Sequence, residues 1–217
     1  MIGFGASANY FAQSTYFKWD MGRGVVRERG GARVMAFPQE FSMGLLAGLI
    51  DECGEAWPIV LESCGAFWGR RQMERLEAEL GAFHAARLKS LPTAVAQAAI
   101  SECLAVHGWG RAEFDLSEVK KRILLVRVSE SPMAAAVVHG KLDAGGRPVD
   151  ALLCGALAAM FTQASGSAMH CKEIRCVASG SPVCEFVLAA EGRLDEIPAM
   201  LRKNLTRDEI VQSLNPQ

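Results

Sequence analysis

The 217-residue chain has no run of the ~20 apolar residues that a membrane-crossing helix needs, and its longest apolar stretch, 149–161, is broken by Asp150. It has no basic stripe either. Its 23 Lys and Arg are dispersed among 24 Asp and Glu, for a net charge of −1, so a nucleic-acid partner is not expected. No basic-then-apolar leader opens the sequence, and its seven cysteines are odd in number and irregularly spaced, which points to a reducing cytoplasm rather than a disulfide framework. A strand–GxGxxG–helix arrangement is missing. GFGASANYF supplies Gly3 and Gly5 but neither the preceding strand nor the third glycine. No serine sits in a GxSxG elbow, so neither a nucleotide-cofactor enzyme nor a serine hydrolase is indicated. Internal repeats, low-complexity tracts and Pro-rich linkers are also lacking.

What is there is a chain 50% apolar, enough for a sizeable core, and best read as one elaborated domain over 1–217. Residues 1–23 are rich in aromatics without a clean period and are expected to pack as an arm. GVVRERGGARVMAFP places strands at 24–28 and 32–36 around the turn-forming Gly30-Gly31. Helical spacing follows: Phe41, Leu45, Leu46, Leu49 and Ile50, then Ile59, Leu61 and Phe67, then a helix over 93–107 that begins after Pro92 and stops at Gly108. Helices and first strands thus occupy 24–147. WGRAEFDL and RILLVRVSES read as strands, and 148–190 combines a buried helix with strands at 168–176 and 183–190. The charged, weakly periodic 191–217 is expected to form surface helices or a tail.

The run HCKEIRCVASGSPVCEF sets Glu173, Cys176 and Cys184 at E-x2-C-x7-C around a Gly180-Ser181-Pro182 turn. Gly and Pro there let the chain reverse, so the two cysteines can face each other at the base of a hairpin. One carboxylate and two thiolates suit zinc, which takes four ligands; all four filled would make the ion structural. Two small buried cysteines would show the same spacing without a metal. His170 and Cys171, beside the motif, fit a strand start and a core-facing position as well as they fit ligands.

DALLCGALAAMFTQASG followed by KEIRCVASGSPVCEF resembles the C-terminal half of the 4-vinyl-reductase-like domains, and ESCGAFWGRR resembles their helical region more weakly. That family includes a protein associated with bacteriochlorophyll synthesis and the phenol- or xylene-sensing domains of bacterial transcription activators. It is related in fold to the TRAPP vesicle-tethering subunits. The resemblance implies an α+β fold, an antiparallel sheet with packed helices, homodimerisation and a hydrophobic small-molecule pocket. In the sensor members the matching Glu and two Cys hold zinc with an upstream Cys. Aligned from Glu173, that position is Asp150, and Cys154 lies one helical turn later on nearly the same side. Either could be the fourth ligand.

HGWGRAEFD brings His107 and Trp109 between glycines, and Trp68, Phe67, Phe114, Met133 and Phe161 complete a set of candidate cavity walls. Aromatic residues at such junctions also simply fill cores. The expected function is a carrier, sensor or accessory domain for an aromatic molecule or a tetrapyrrole, with structural zinc, an unidentified protein partner and no chemistry of its own. The alternatives are a protein–protein interaction module without ligand, a tetrapyrrole vinyl reductase, and a redox sensor built on the cysteine pair.

Overall fold

The computed structural model describes residues 10–84 and 90–214. A first, three-stranded antiparallel sheet is made by β1 (Phe17–Asp20), β2 (Val25–Glu28) and β3 (Arg33–Val34) in sequence order. Gly31, at φ +92°, closes the β2–β3 turn, a backbone state that costs glycine nothing. β1 corrects the expectation of an arm: Phe17 to Asp20 pair with Glu28 to Val25. The described part of the N-terminal region before it contributes Tyr10, Phe11 and Tyr16 to the core.

Helix α1 (Gln39–Cys53) follows Pro38, and a 3₁₀ turn leads into the long α2 (Trp57–His84). α3 (Thr93–Val106) starts after Pro92, where the missing N–H is no loss. β4 (Arg111–Asp115) and β5 (Leu124–Ser129) then begin the main sheet. The short α4 (Pro132–Gly140) was not anticipated, although Ser131-Pro132 is a helix-start signal: the Ser131 side chain accepts the Ala134 N–H. α5 (Ala151–Ser165), β6 (His170–Arg175) and β7 (Cys184–Ala189) complete the order β4-β5-β7-β6, antiparallel throughout.

Strict alternation along β5 and β7 divides the apolar residues between two faces. Val126, Val128, Phe186 and Leu188 face the helices and join the large core. Leu125, Val187 and Ala189 face the other way, onto α6 (Ile197–Arg202) and α7 (Arg207–Ser213). The C-terminal stretch therefore seals the sheet: Ile197, Ile210, Val211 and Leu214 are buried there, each worth roughly 1.5–3 kcal/mol on full burial. Glu185, also on this face and buried, is held by Arg207 at 3.2 Å and Arg127 at 3.5 Å.

α2 and α5 meet backbone to backbone. A Cβ on Gly65 would lie 1.9 Å from the Leu152 carbonyl oxygen, and one on Gly69 2.5 Å from that of Ala156. Only glycine permits this approach, and it brings the start of α5 under α2 and over β6. No helix among the described residues is long and apolar enough to cross a membrane.

Candidate functional site

Glu173, Cys176 and Cys184 come together: one ligand atom from each lies within 4.8 Å of the others, and all three residues are buried. A regular strand would put residues three apart on opposite faces. Here a β-bulge intervenes. Glu173 pairs with Phe186 and Arg175 with Glu185, so Ile174 and Arg175 both turn outward and Cys176 returns to the face of Glu173. Gly180, at φ +86°, closes the loop to β7, and Cys184 opens that strand with its Sγ 4.0 Å from Cys176 Sγ.

The hydrogen bond from the Cys184 thiol favours the thiolate at Cys176, bringing it down to about 6 against the opposing effect of burial, and pushes Cys184 up. Glu173 Oε2 accepts the Asp150 N–H at 2.8 Å, joining β6 to the start of α5. Its Oε1 is buried and makes no hydrogen bond among the described residues. Such an atom is costly unless something else meets it. Burial, with the nearby charges of Asp150 and Cys176, raises the Glu173 carboxyl well above its usual range. An orphaned carboxylate oxygen beside a thiolate and a second sulfur is a donor set that fits a zinc ion.

The two residues offered as a fourth ligand sit close by but outside this cluster. Asp150 is fully buried as the N-cap of α5: Oδ1 accepts the Leu153 N–H at 3.2 Å, and Oδ2 accepts the Ser131 hydroxyl. Burial first, against those hydrogen bonds, pushes its carboxyl up to about 7. Cys154 is hydrogen-bonded to Cys171, which with burial raises its thiol.

The candidate cavity walls do not share one cavity, which corrects that expectation. Phe67 is 61% exposed on α2. Trp68 packs on Trp109 at 4.8 Å, Phe114 on Phe161 at 5.5 Å, and Met133 is buried in the core. These rings fill space between helices and sheet. His107 has a different task. Its Nδ1 donates to the Cys103 carbonyl at 2.7 Å and its Nε2 to Glu28 Oε2 at 3.0 Å. Both ring nitrogens face acceptors, so the ring carries both protons. Burial alone would lower its pKa, but the bonds to Cys103 and Glu28 lift it to about 10. Arg75 reaches the other Glu28 oxygen at 2.9 Å, and Tyr16 donates to Oε2 at 3.3 Å. The buried Glu28 thus ties the first sheet to α2 and α3.

Of the expected wall residues, Phe161 alone lines a cleft of about 680 Å³, with Ile100, Ala164, Met169, Leu124 and Gln97 among its neighbours. The cleft lies between α3, the end of α5 and the start of β6. Sequence reasoning missed it because it is formed by small residues of α3 and by the 164–169 turn, which carry no aromatic signal. Its volume and mixed, mainly apolar lining are those of small-molecule sites.

An α+β domain with a four-stranded antiparallel sheet, a glycine-crossed helix pair and a Glu-Cys-Cys cluster at its last hairpin defines the class. Residues 125–190 match the family model of the vinyl-4-reductase domain, so the segment holding that hairpin is a domain of this family, as the sequence resemblance implies. No curated protein matches the sequence. Among solved structures, the phenol-responsive sensory domain of the transcription activator PoxR, crystallised with phenol, is similar at 14% identity and a TM-score of 0.71, with 93% of this chain and 96% of that one covered. A trafficking protein particle complex subunit 3 from Naegleria fowleri, covalently bound to palmitic acid, is similar at 12% identity and a TM-score of 0.50, covering 70% and 93%. A vinyl-4-reductase family protein from Methanocaldococcus jannaschii shares 16% identity at a TM-score of 0.47, covering 71% and 82%. The fold is therefore that of the PoxR sensory domain and of the TRAPP-like subunits.

Proposed function

We propose that this domain binds a hydrophobic, aromatic small molecule in the cleft between α3 and the α5–β6 turn, and that a structural zinc at Glu173, Cys176 and Cys184 braces the cleft from the far end. The observation that carries the reading is a shared framework. Phe161 and Ala164, at the cleft, belong to the helix whose first residues meet the Glu-Cys-Cys cluster, about 20 Å away at 1.5 Å per residue. Met169, also at the cleft, directly precedes the strand that carries Glu173. An ion pinning Glu173 to the hairpin would hold both elements in register, and a ligand wedged between them would alter that register. The likeness to a phenol-sensing domain over nearly the whole chain supports a sensor of this kind. A tetrapyrrole is the larger occupant consistent with the family resemblance, and a carrier role the corresponding alternative.

Homodimerisation belongs to the same proposal. Phe37 and Phe41 stack at 4.4 Å with both rings about half exposed, and Ile59 and Phe67 stand 68% and 61% exposed on α2, more apolar surface than an isolated subunit keeps without use. Native mass spectrometry of the purified chain tests the whole reading in one spectrum. The expected result is a dimer carrying one zinc per subunit and a small-molecule adduct that leaves on denaturation. A monomer with neither adduct overturns it.

A further inference from the structure

The cluster supplies three donors where zinc takes four, and the nearby residues able to add one are engaged elsewhere. The Asp150 carboxylate caps α5 through Leu153 and also receives the Ser131 hydroxyl. Ser131 in turn caps α4, accepting the Ala134 N–H at 3.3 Å. Swinging Asp150 onto a metal would disturb two helix N-termini at once. The Cys154 thiol is bonded to Cys171. No other Cys, His, Asp or Glu among the described residues joins the set.

The cluster is nevertheless approachable. Glu173 lines a cleft of about 650 Å³ between the start of α2, the 145–148 loop and α6. Cys176 lines a second, of about 560 Å³, on the side of Ser179 and Arg207. Both clefts share Pro148 and Asn204, so the cluster sits between two solvent-connected openings. The unpartnered Oε1 of Glu173, a residue only 5% exposed, marks the spot where a ligand is missing.

We infer that the metal centre of this chain is open: Glu173, Cys176 and Cys184 are its protein ligands, and a small donor from outside the chain, entering through these clefts, takes the fourth position. A thiol is the class best matched to a centre that already has two sulfur ligands. The inference rests on the metal reading above. It also gives a reason for an aspartate where the resemblance places a ligand cysteine: here the side chain is a shared helix cap, and it holds Glu173 through its backbone N–H.

Cobalt(II) loaded into the full chain reports its donors through visible absorption, and azide and 2-mercaptoethanol serve as probes. The expected result is a saturable shift of the cobalt bands with either probe. The same bands and the same shift are expected in Asp150→Asn, which keeps the cap acceptor, and in Cys154→Ala. Bands that ignore both probes overturn the inference. A spectrum altered by Asp150→Asn or by Cys154→Ala then says which of the two closes the site. A folded chain that binds no cobalt at all defeats the metal reading itself, and the two failures are thereby told apart.

Discussion

A Cβ built on Gly155 would sit 1.9 Å from the carbonyl oxygen of Glu62, so α5 and α2 touch main chain to main chain where the candidate metal cluster begins. Gly155→Ala should lower stability even though alanine is the better helix former by about 1 kcal/mol. The clash is with backbone that cannot step aside, and overpacking of this kind costs roughly 1–3 kcal/mol or more. Gly44→Ala and Gly48→Ala in α1 have open space and should stabilise by about 0.5–1 kcal/mol. Urea midpoints for the three variants check both signs.

Replacing Cys176 and Cys184 together by serine removes both sulfur donors of the cluster. Zinc content should fall from one equivalent to none. The parent should lose thermal stability on chelation, because metal bound to the native state alone stabilises it by mass action. The double variant should melt at the same temperature with and without chelator. Equal melting of the untreated parent and the double variant, with no metal in either, would rule out the brace.

His107 makes stability depend on pH in a defined window. Its folded-state value, about 10, lies above the ordinary 6.5, so its contribution is complete below pH 6.5 and is lost as pH rises through 10. Denaturant unfolding measured from pH 6 to 10 should show this decline, and His107→Gln should flatten it. Glu28→Gln leaves the imidazolium and Arg75 facing a neutral amide in a buried site. It should cost on the order of 3–5 kcal/mol at pH 7.

Ala164 lines the larger cleft from the end of α5. Ala164→Trp should fill that space. The dye ANS, bound by the native parent, should then lose its fluorescence enhancement while zinc content stays unchanged. Undiminished ANS binding would place the apolar site elsewhere.

Much of the architecture can be read along the chain because it follows from local rules. Pro38 and Pro92 mark helix starts, Gly30-Gly31 and Gly180 mark turns, and the alternating apolar residues of 124–128 and 184–188 mark half-buried strands. E-x2-C-x7-C marks the hairpin thiols and their carboxylate. The bulge that puts Glu173 and Cys176 on one face is not local. It arises only when β6 pairs with β7, because an extra residue can be defined only against a partner strand.

The same distinction separates His107 from the role expected of it. A histidine between a helix end and glycines looks available for a ligand, yet Glu28, 79 residues earlier, occupies its Nε2. Charged C-terminal helices look like surface because their apolar residues are few, but those few meet the outer face of the sheet and are buried. By itself the sequence determined where the chain turns, which segments coil or extend, and which side chains stand near one another along it, since these depend on sterics and spacing over a few residues. Tertiary structure alone decided that Asp150 is a shared helix cap, that two glycine-bearing helices touch, and that a cleft opens beside Phe161. Each of these needs groups far apart in the chain to be brought together by burial, and no short-range rule encodes that encounter.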